Sequence, residues 1–131
     1  MKTSAFHILR VGIAITFLWI GILIFREPEA WGGFLQPWAA NLLPIPLKEA
    51  MIGAALLDLT IDLFLLIDVW VWLAALLGAF HLVIVLTVSG INTVTVRDIG
   101  LLTALLALMV TTWPNKFNFW KKKGAPQSTE L

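Results

Sequence analysis

The sequence predicts an all-α fold, an integral membrane four-helix bundle with an interfacial Pro/Trp-rich segment between helices 1 and 2. The composition is the first observation behind this prediction: 60% of the 131 residues are hydrophobic and only 13% are charged, unlike a soluble globular domain. The second is an almost unbroken apolar run at residues 45–89. A helix over residues 50–88 would be roughly 58 Å long, nearly twice a bilayer core of about 30 Å, so the run must fold back.

The first apolar segment, residues 6–25, is long enough to span a bilayer. Arg10 lies within its apolar region, and the segment ends in Phe25-Arg26-Glu27-Pro28 without the small residues of a signal-peptide cleavage site. We therefore expect a retained transmembrane helix and not a cleaved signal peptide.

Residues 26–49 connect the first and second spans and contain four of the six prolines. The prolines prevent one continuous helix, whereas Trp31, Trp38 and several leucines disfavour full solvation. We expect this segment to lie at the membrane interface, with its indoles at headgroup depth. Two roles fit it: a loop that rests on the bilayer, or a lid over a cavity between the helices.

The long apolar run has one polar break, at Asp68, between two aliphatic blocks. A lipid-exposed chain must satisfy its backbone hydrogen bonds internally. The break therefore predicts a helical hairpin with a turn at residues 67–69, a second span at residues 48–67 and a third at residues 69–88.

The fourth span is expected at residues 99–113, where Pro114 stops or kinks the helix. Upstream of it, Thr95-x-x-Asp98 has the form of a capping box with Asp in place of Glu or Gln. This pattern predicts a helix start next to Thr95.

One domain is predicted, a four-span transmembrane unit at residues 1–120, followed by a basic and polar tail at residues 121–131 that we expect to be disordered. Lys and Arg are more frequent on the cytoplasmic side of membrane proteins. With both termini cytoplasmic, the inner side holds Lys2, Arg10, Lys116, Lys121, Lys122 and Lys123, and the outer side holds Arg26, Lys48 and Arg97. The larger inner set predicts a multi-pass protein with both termini in the cytoplasm.

Four ionisable residues lie inside the predicted spans and away from the first two residues of each: Arg10, Asp58, Asp62 and His81. At 1.5 Å per residue, Arg10 and Asp62 each lie about 8 Å from the cytoplasmic end, while Asp58 lies at about 14 Å and His81 at about 18 Å. Asp58 and Asp62 are four residues apart and share one helix face. Charge inside a membrane is costly, and it marks either a partner or a function.

Three interpretations of this polar set are open. In the first, Arg10 and Asp62 form an interhelical ion pair, and Asp58 and His81 hydrogen-bond, so that all four hold the bundle together. In the second, the set lines a small polar cavity for a ligand that carries protons or electrons, such as a quinone headgroup. In the third, it forms an interface with a partner subunit.

A second polar group stands at the outer rim, where Arg97 and Asp98 begin the fourth helix and Trp31 belongs to the interfacial segment. Asp98 suits the positive end of the helix dipole, and Arg97 can pair with Glu27 or Glu29. Alternatively, Arg97 faces an anion or a headgroup at the mouth of a cavity.

The residue inventory excludes several chemistries. The net charge of +1 offers no basic face to nucleic acid. Without cysteine the chain has no disulfide, thiolate metal site or thiol redox chemistry. The two histidines, His7 and His81, differ by about 15 Å in depth and cannot both bind one haem. No ligand cluster for zinc or a di-iron centre is present. We therefore expect no metal and no cofactor resident in the chain, with a quinone as the candidate ligand.

Two short motifs resemble those of a known family. Arg10-x-Gly12, followed by Phe17-Leu18-Trp19-Ile20-Gly21, is similar to the first helix of the DoxX-like family of small four-helix membrane proteins. The sequence from Val96 to Leu102 resembles the start of that family's fourth helix. The resemblance spans about residues 8–112, and the matched positions are Arg10, Trp19, Gly21, Arg97, Asp98 and Gly100. The first motif also resembles related bacterial inner-membrane proteins linked to reactive-chlorine resistance.

The resemblance implies a role in redox or oxidative-stress assemblies, since family members include a subunit of a thiosulfate:quinone oxidoreductase and a membrane partner of superoxide dismutase with a sulfurtransferase. It also implies the inner (plasma) membrane of a prokaryote. We thus expect a membrane subunit or anchor of a redox-linked, quinone-interacting assembly. Its expected partners are membrane lipids, a redox subunit and further copies of the chain.

The sequence identifies no catalytic residue, so the enzymatic role that we expect is that of a non-catalytic subunit of a membrane oxidoreductase. Two alternatives belong to other classes. One is a small transporter of protons, ions or small molecules that uses Arg10, Asp58 and Asp62 as a relay. The other is a non-catalytic membrane scaffold, in which the buried acids only hold helices together.

Overall fold

The computed structural model describes residues 3–114, and this part of the chain is helical without strands. The all-α class is thereby confirmed. The helices are α1 (Ser4–Arg26), α2 (Pro28–Gly32), α3 (Pro37–Leu42), α4 (Leu47–Leu66), α5 (Val71–Ser89) and α6 (Val96–Thr112). The four long helices match the four predicted spans to within three residues at each end. The tail predicted at residues 121–131 lies outside the described residues, as do Lys2 and Lys116.

Local sequence explains where the first three helices begin. The Thr3 side chain caps α1 by accepting a hydrogen bond of 3.2 Å from the Phe6 N–H. Pro28 and Pro37 occupy the first turns of α2 and α3, where a missing N–H costs no helix hydrogen bond. The interfacial segment is therefore divided into two short helices.

The polar break forms the predicted turn between α4 and α5. Asp68 and Trp70 both adopt left-handed backbone conformations, with φ of 59° and 49°. The Val69 N–H donates to the Phe64 carbonyl at 3.2 Å. The Trp70 ring stacks on that of Phe64, with centroids 6.3 Å apart and planes inclined by 11°. This ring pair holds the reversal in place, so the turn extends one residue beyond the predicted range.

The predicted capping box at α6 does not form, although α6 begins next to Thr95 as expected. The Thr95 hydroxyl donates to the Gly90 carbonyl and accepts from the Asn92 N–H at 2.9 Å. The Thr95 backbone is helical, with φ of −81° and ψ of −12°, whereas a capping residue has an extended backbone that aims its side chain at the first helix N–H groups. Gly90, with φ of 72°, ends α5 in a conformation that favours glycine.

The long helices form two antiparallel pairs, α1 with α4 and α5 with α6, which meet along α4–α5 and α1–α6. Gly21 lets α1 approach α4 closely, since a Cβ there would lie 3.0 Å from Leu59 Cγ and 3.3 Å from the Ala55 carbonyl oxygen. The core is densest toward the end of the bundle that carries the 67–70 turn. Its largest fully buried side chains are Phe17, Ile61, Leu65, Leu105 and Leu108.

The distribution of apolar and charged side chains is inverted relative to a soluble protein. Large apolar residues point outward, among them Ile8, Trp19 and Phe80 at 75%, 65% and 66% exposure. Within residues 3–114, four charged groups lie inside, Arg10, Asp58, Asp62 and Asp98, whereas the exposed charged residues lie at helix ends and in the segment between α1 and α4. By length and composition, α1 and α5 are the two helices in the described residues that could cross a membrane.

Candidate functional site

A cavity of about 260 Å³ lies between the two helix pairs, at the end of the bundle opposite the 67–70 turn. Side chains of α2, α3 and the loops around them, including Trp31, Phe34 and Ala39, cover it. Its walls are aliphatic and aromatic, with Phe17 from α1 and Leu82 from α5 among them. The interfacial segment, residues 26–49, thus lines one end of the cavity, and this position fits the prediction that it forms a lid.

The floor of the cavity carries the two ionisable residues that the depth count placed within one helical turn. His81 Nε2 lies 3.3 Å from Asp58 Oδ1, and the side chains are 15% and 4% exposed. The hairpin explains this contact, because α4 and α5 run antiparallel from their common turn and bring the two residues to one level. Asp58 Oδ1 has no aligned hydrogen-bond donor among the described residues, so the contact is close but its angles are not those of a hydrogen bond.

The rim of the cavity carries Arg97, Asp98 and Trp31, the three residues predicted there. Arg97 Nε lies 3.4 Å from Asp98 Oδ1, and its guanidinium carbon lies 5.7 Å from the centroid of the Trp31 ring. The pairing of Arg97 with Glu27 or Glu29 is not formed, since the guanidinium turns over the indole instead.

The rim and the floor line the same cavity. The Asp98 side chain is only 6% exposed, pairs with Arg97 at the rim, and lines the cavity together with Asp58 and His81. Arg97 is 42% exposed and reaches toward the outside of the cavity. The cavity therefore holds two buried carboxyl groups and one imidazole, with one guanidinium at its edge.

Arg10 lies at the opposite end of the bundle and does not line the cavity. Its Nη1 donates to the carbonyl oxygens of Leu65 and, at 3.0 Å, of Leu66, and its Nη2 lies 3.1 Å from His7 Nδ1. Its Nε lies 3.8 Å from Asp68 Oδ1. These five residues form a cluster that we term the arginine clamp.

The clamp corrects the predicted ion pair between Arg10 and Asp62. The last carbonyls of α4 have no intrahelical donors, and they form the negative end of its dipole. A guanidinium with five donors satisfies two of these carbonyls at once and also reaches Asp68. Asp62 remains buried one turn away, 4% exposed, and its Oδ1 has no hydrogen-bond partner within residues 3–114. Asp62 does not line the cavity either.

Sequence reasoning missed His7 and Asp68 as partners of Arg10. His7 carried a usable signal, because it precedes Arg10 by three residues and so lies on the same helix face. Asp68 was assigned only to the turn. The identity of the Leu65 and Leu66 side chains gives no sign that their backbone carbonyls accept from Arg10. These carbonyls are available because α4 ends at Leu66, and the exact end of the helix is known only from the structure.

The site therefore consists of apolar walls, an imidazole–carboxyl pair at the floor and a charged rim. Such a pair can present both acceptor oxygens and ring nitrogens to a ligand. Within the described residues, no group of three or more His, Asp or Glu side chains could hold a metal ion. Comparisons with protein-family models, curated proteins and solved structures gave no match, and the resemblance to the DoxX-like family stays a prediction.

Proposed function

We propose that this chain is a four-span protein of a prokaryotic inner membrane that binds a quinone-class ligand in its cavity. In this proposal it serves as the membrane subunit of a redox-linked assembly. One observation carries the proposal: an apolar cavity of about 260 Å³ has a buried carboxyl–imidazole contact at its floor.

The membrane part of the proposal is supported by the inverted distribution of side chains. Ile8, Trp19 and Phe80 would be covered by lipid in a bilayer, whereas in water they would add to an extended apolar surface. The buried charges would be shielded from lipid by neighbouring helices. Helices α4 and α6 would complete the four spans, since Asp58 and Asp62 of α4 are buried inside the bundle and Glu49 lies in the first turn of the helix.

The ligand class follows from the cavity's size and lining. Ligand pockets measure about 300–1,000 Å³, so this cavity of about 260 Å³ lies just below the range and suits a single ring headgroup. Its aliphatic and aromatic walls favour an apolar ring, and the polar atoms of Asp58 and His81 would fix one end of that ring. A quinone combines an apolar ring with oxygen atoms at its two ends.

The subunit role follows from what the chain lacks. It contains neither cysteine nor tyrosine, so the common protein-based redox side chains are missing. Electrons for a bound quinone would pass between the ligand and a partner subunit. The chain itself would bind the ring, orient it and shield it from water.

The direct test is quinone binding by the purified protein in lipid nanodiscs. Decylubiquinone would be titrated while tryptophan fluorescence is followed, because Trp31 lines the cavity. We expect His81→Ala to weaken decylubiquinone binding by about tenfold, the scale of one buried hydrogen bond, and Asp58→Asn to weaken the binding of the reduced form, decylubiquinol, by a similar factor. Asp62→Asn and Phe80→Ala are matched controls, one buried outside the cavity and one facing outward.

Both controls should bind like the wild type. Quinone-dependent turnover in membranes should fall in the two floor variants, although these variants still insert. Equal affinity in all four variants, or unchanged turnover in both floor variants, would reject the cavity as the site.

A proton relay is the second candidate, and the position of Asp62 favours it. Its unpartnered carboxyl lies one turn from the cavity floor, on the helix face that leads toward the arginine clamp. The fixed charge of Arg10 at the end of that face would oppose proton passage. Potential-driven proton flux into proteoliposomes, lost in both Asp58→Asn and Asp62→Asn, would establish the relay. Flux equal to that of empty liposomes would reject it.

A further inference from the structure

We infer that the cavity binds the reduced, hydroxyl-bearing form of its ligand more tightly than the oxidised form. The selective group is the Asp58 carboxyl at the floor, which needs a hydrogen-bond donor. This inference rests on the proposed function, because it assigns the redox state of the quinone-class ligand that the same cavity takes.

The first step is the unmet acceptor. Asp58 lines the cavity, its side chain is 4% exposed, and its Oδ1 has no hydrogen-bond partner among residues 3–114. Buried polar atoms in folded proteins almost always have a partner. An unpartnered oxygen that borders a cavity is the atom that a ligand would be expected to satisfy.

The second step concerns the contact between Asp58 and His81. His81 Nε2 lies 3.3 Å from Asp58 Oδ1, but the angles are not those of a hydrogen bond, so the imidazole does not satisfy this oxygen. A carboxylate has lone pairs on both oxygens, and a protonated carboxyl keeps one acceptor oxygen. In both cases the Asp58 carboxyl presents an acceptor to the cavity.

The third step is the set of groups around the floor. Asp98 adds a second buried carboxyl group to the same cavity. The cation at the rim, Arg97, lies beside Asp98 and over Trp31, at the edge and not at the floor. Carboxyl oxygens are therefore the main polar atoms that the cavity offers to a ligand atom that brings a proton.

The two redox forms of a quinone differ in this property. A quinol carries phenolic O–H groups, which can donate to Asp58. A quinone carries carbonyl oxygens, which only accept and would leave Asp58 Oδ1 unsatisfied. Leaving one buried acceptor unmet lowers affinity by roughly tenfold. A tenfold preference for the reduced form would raise the midpoint potential of a bound two-electron couple by about 30 mV.

Three probes of nearly the same shape test the preference: decylubiquinol, decylubiquinone and the dimethyl ether of the quinol, in which both hydroxyl protons are replaced. Each would be titrated anaerobically into the protein in nanodiscs, with tryptophan fluorescence as the readout. We expect the quinol to bind about tenfold more tightly than the other two.

The variants separate donor recognition from shape. Asp58→Asn introduces an amide N–H, which a quinone carbonyl can accept, so the preference should disappear or reverse in this variant. Asp62→Asn removes a buried acid that does not line the cavity, and the preference should remain.

The outcomes distinguish the two proposals. Equal binding of all three probes by the wild type, or tighter binding of the quinone, would overturn the inference and leave quinone binding standing. An unchanged preference in Asp58→Asn would overturn Asp58 as the selective group. Failure of every probe to bind would reject the proposed function, and this inference would fall with it.

Discussion

The arginine clamp and the cavity are two polar regions at opposite ends of the α4–α5 hairpin, and they differ in how their charges are satisfied. In the clamp, Arg10 spans two backbone carbonyls and approaches His7 and Asp68, with the packed core directly above it. In the cavity, Asp58 touches His81 but keeps an unpartnered oxygen beside empty volume. In the clamp, other groups of the chain accept the hydrogen bonds of Arg10. In the cavity, the described residues leave Asp58 Oδ1 without a hydrogen bond.

This difference separates two uses of buried charge. A guanidinium that meets the free carbonyls at a helix end stabilises the junction between α1 and α4. A carboxyl group that borders a cavity stabilises little by itself and is suited to a ligand. Both regions look alike in the sequence, where each consists of isolated ionisable residues in apolar segments.

The largest expected effect comes from breaking the clamp. Arg10→Met keeps much of the side chain's length but removes all donors to the carbonyls of Leu65 and Leu66. Breaking a buried charged cluster from one side costs about 3–5 kcal/mol, and we expect a loss of that size in the free energy of unfolding. Denaturant titration of the purified protein, followed by helical circular dichroism, measures it.

Asp58→Asn is the matched variant at the cavity, and its loss of stability should be below about 1 kcal/mol because Asp58 Oδ1 makes no hydrogen bond to lose. Equal destabilisation by the two changes would show that both regions are structural, and the comparison would then fail.

The second prediction compares the same substitution, alanine to leucine, in the packed core next to the clamp and in the wall of the cavity. Ala75 is fully buried in the packed core, so Ala75→Leu should lower stability by about 2 kcal/mol through overpacking. Ala54 lines the cavity, so Ala54→Leu should change stability by less than about 1 kcal/mol. The leucine would occupy ligand volume, and decylubiquinone affinity should fall by about tenfold. If Ala54→Leu instead costs as much as Ala75→Leu, the cavity is not open in the folded protein.

The third prediction concerns the cover of the cavity. The Gln36 N–H donates to the Val88 carbonyl at 2.9 Å, which ties the interfacial segment to the end of α5 next to Gly90. Gly90 has φ of 72°, and a Cβ there would lie 2.6 Å from Gln36 Nε2. Gly90→Ala should therefore cost about 1 kcal/mol in stability and loosen the cover.

The loosened cover should appear as faster hydrogen exchange in α3 and as faster dissociation of decylubiquinone. The clamp lies at the other end of the bundle, so exchange at Leu65 and Leu66 should stay unchanged. Faster exchange there as well would mean that the two regions unfold as one unit.

Hydrophobic patterning and prolines predicted the all-α class and the positions of the long helices well. Each long helix begins and ends within three residues of its predicted span, and the break at Asp68 marked the turn. These features are predictable because the length of an apolar run and the residues that stop a helix can both be read from the sequence. The fit of Thr95 to a capping box misled, since its backbone is helical and its hydroxyl oxygen accepts from the Asn92 N–H in the preceding turn. The backbone conformation of one residue at a helix start has no sequence pattern of its own.

The candidate site was predicted only in part. Counting residues from the helix ends brought Asp58 and His81 to the same level, and the structure places them in contact. The same counting put Arg10 level with Asp62, yet Arg10 turned to the carbonyls at the end of α4. Depth is set by rise per residue, but partner choice depends on helix rotation and on backbone groups, which residue identity does not encode.

The smallest expected effect comes from Asp62, which belongs to neither region. Its carboxyl is buried, its Oδ1 is unpartnered within the described chain, and it borders neither the clamp's hydrogen bonds nor the cavity. Asp62→Asn keeps the shape and removes the cost of burying an acid, so stability should rise by less than about 1 kcal/mol. Decylubiquinone affinity should stay within about twofold of the wild type. A tenfold loss of affinity would show that the ligand site extends one helical turn from Asp58 toward the clamp. The division of the bundle into a structural end and a binding end would then be wrong.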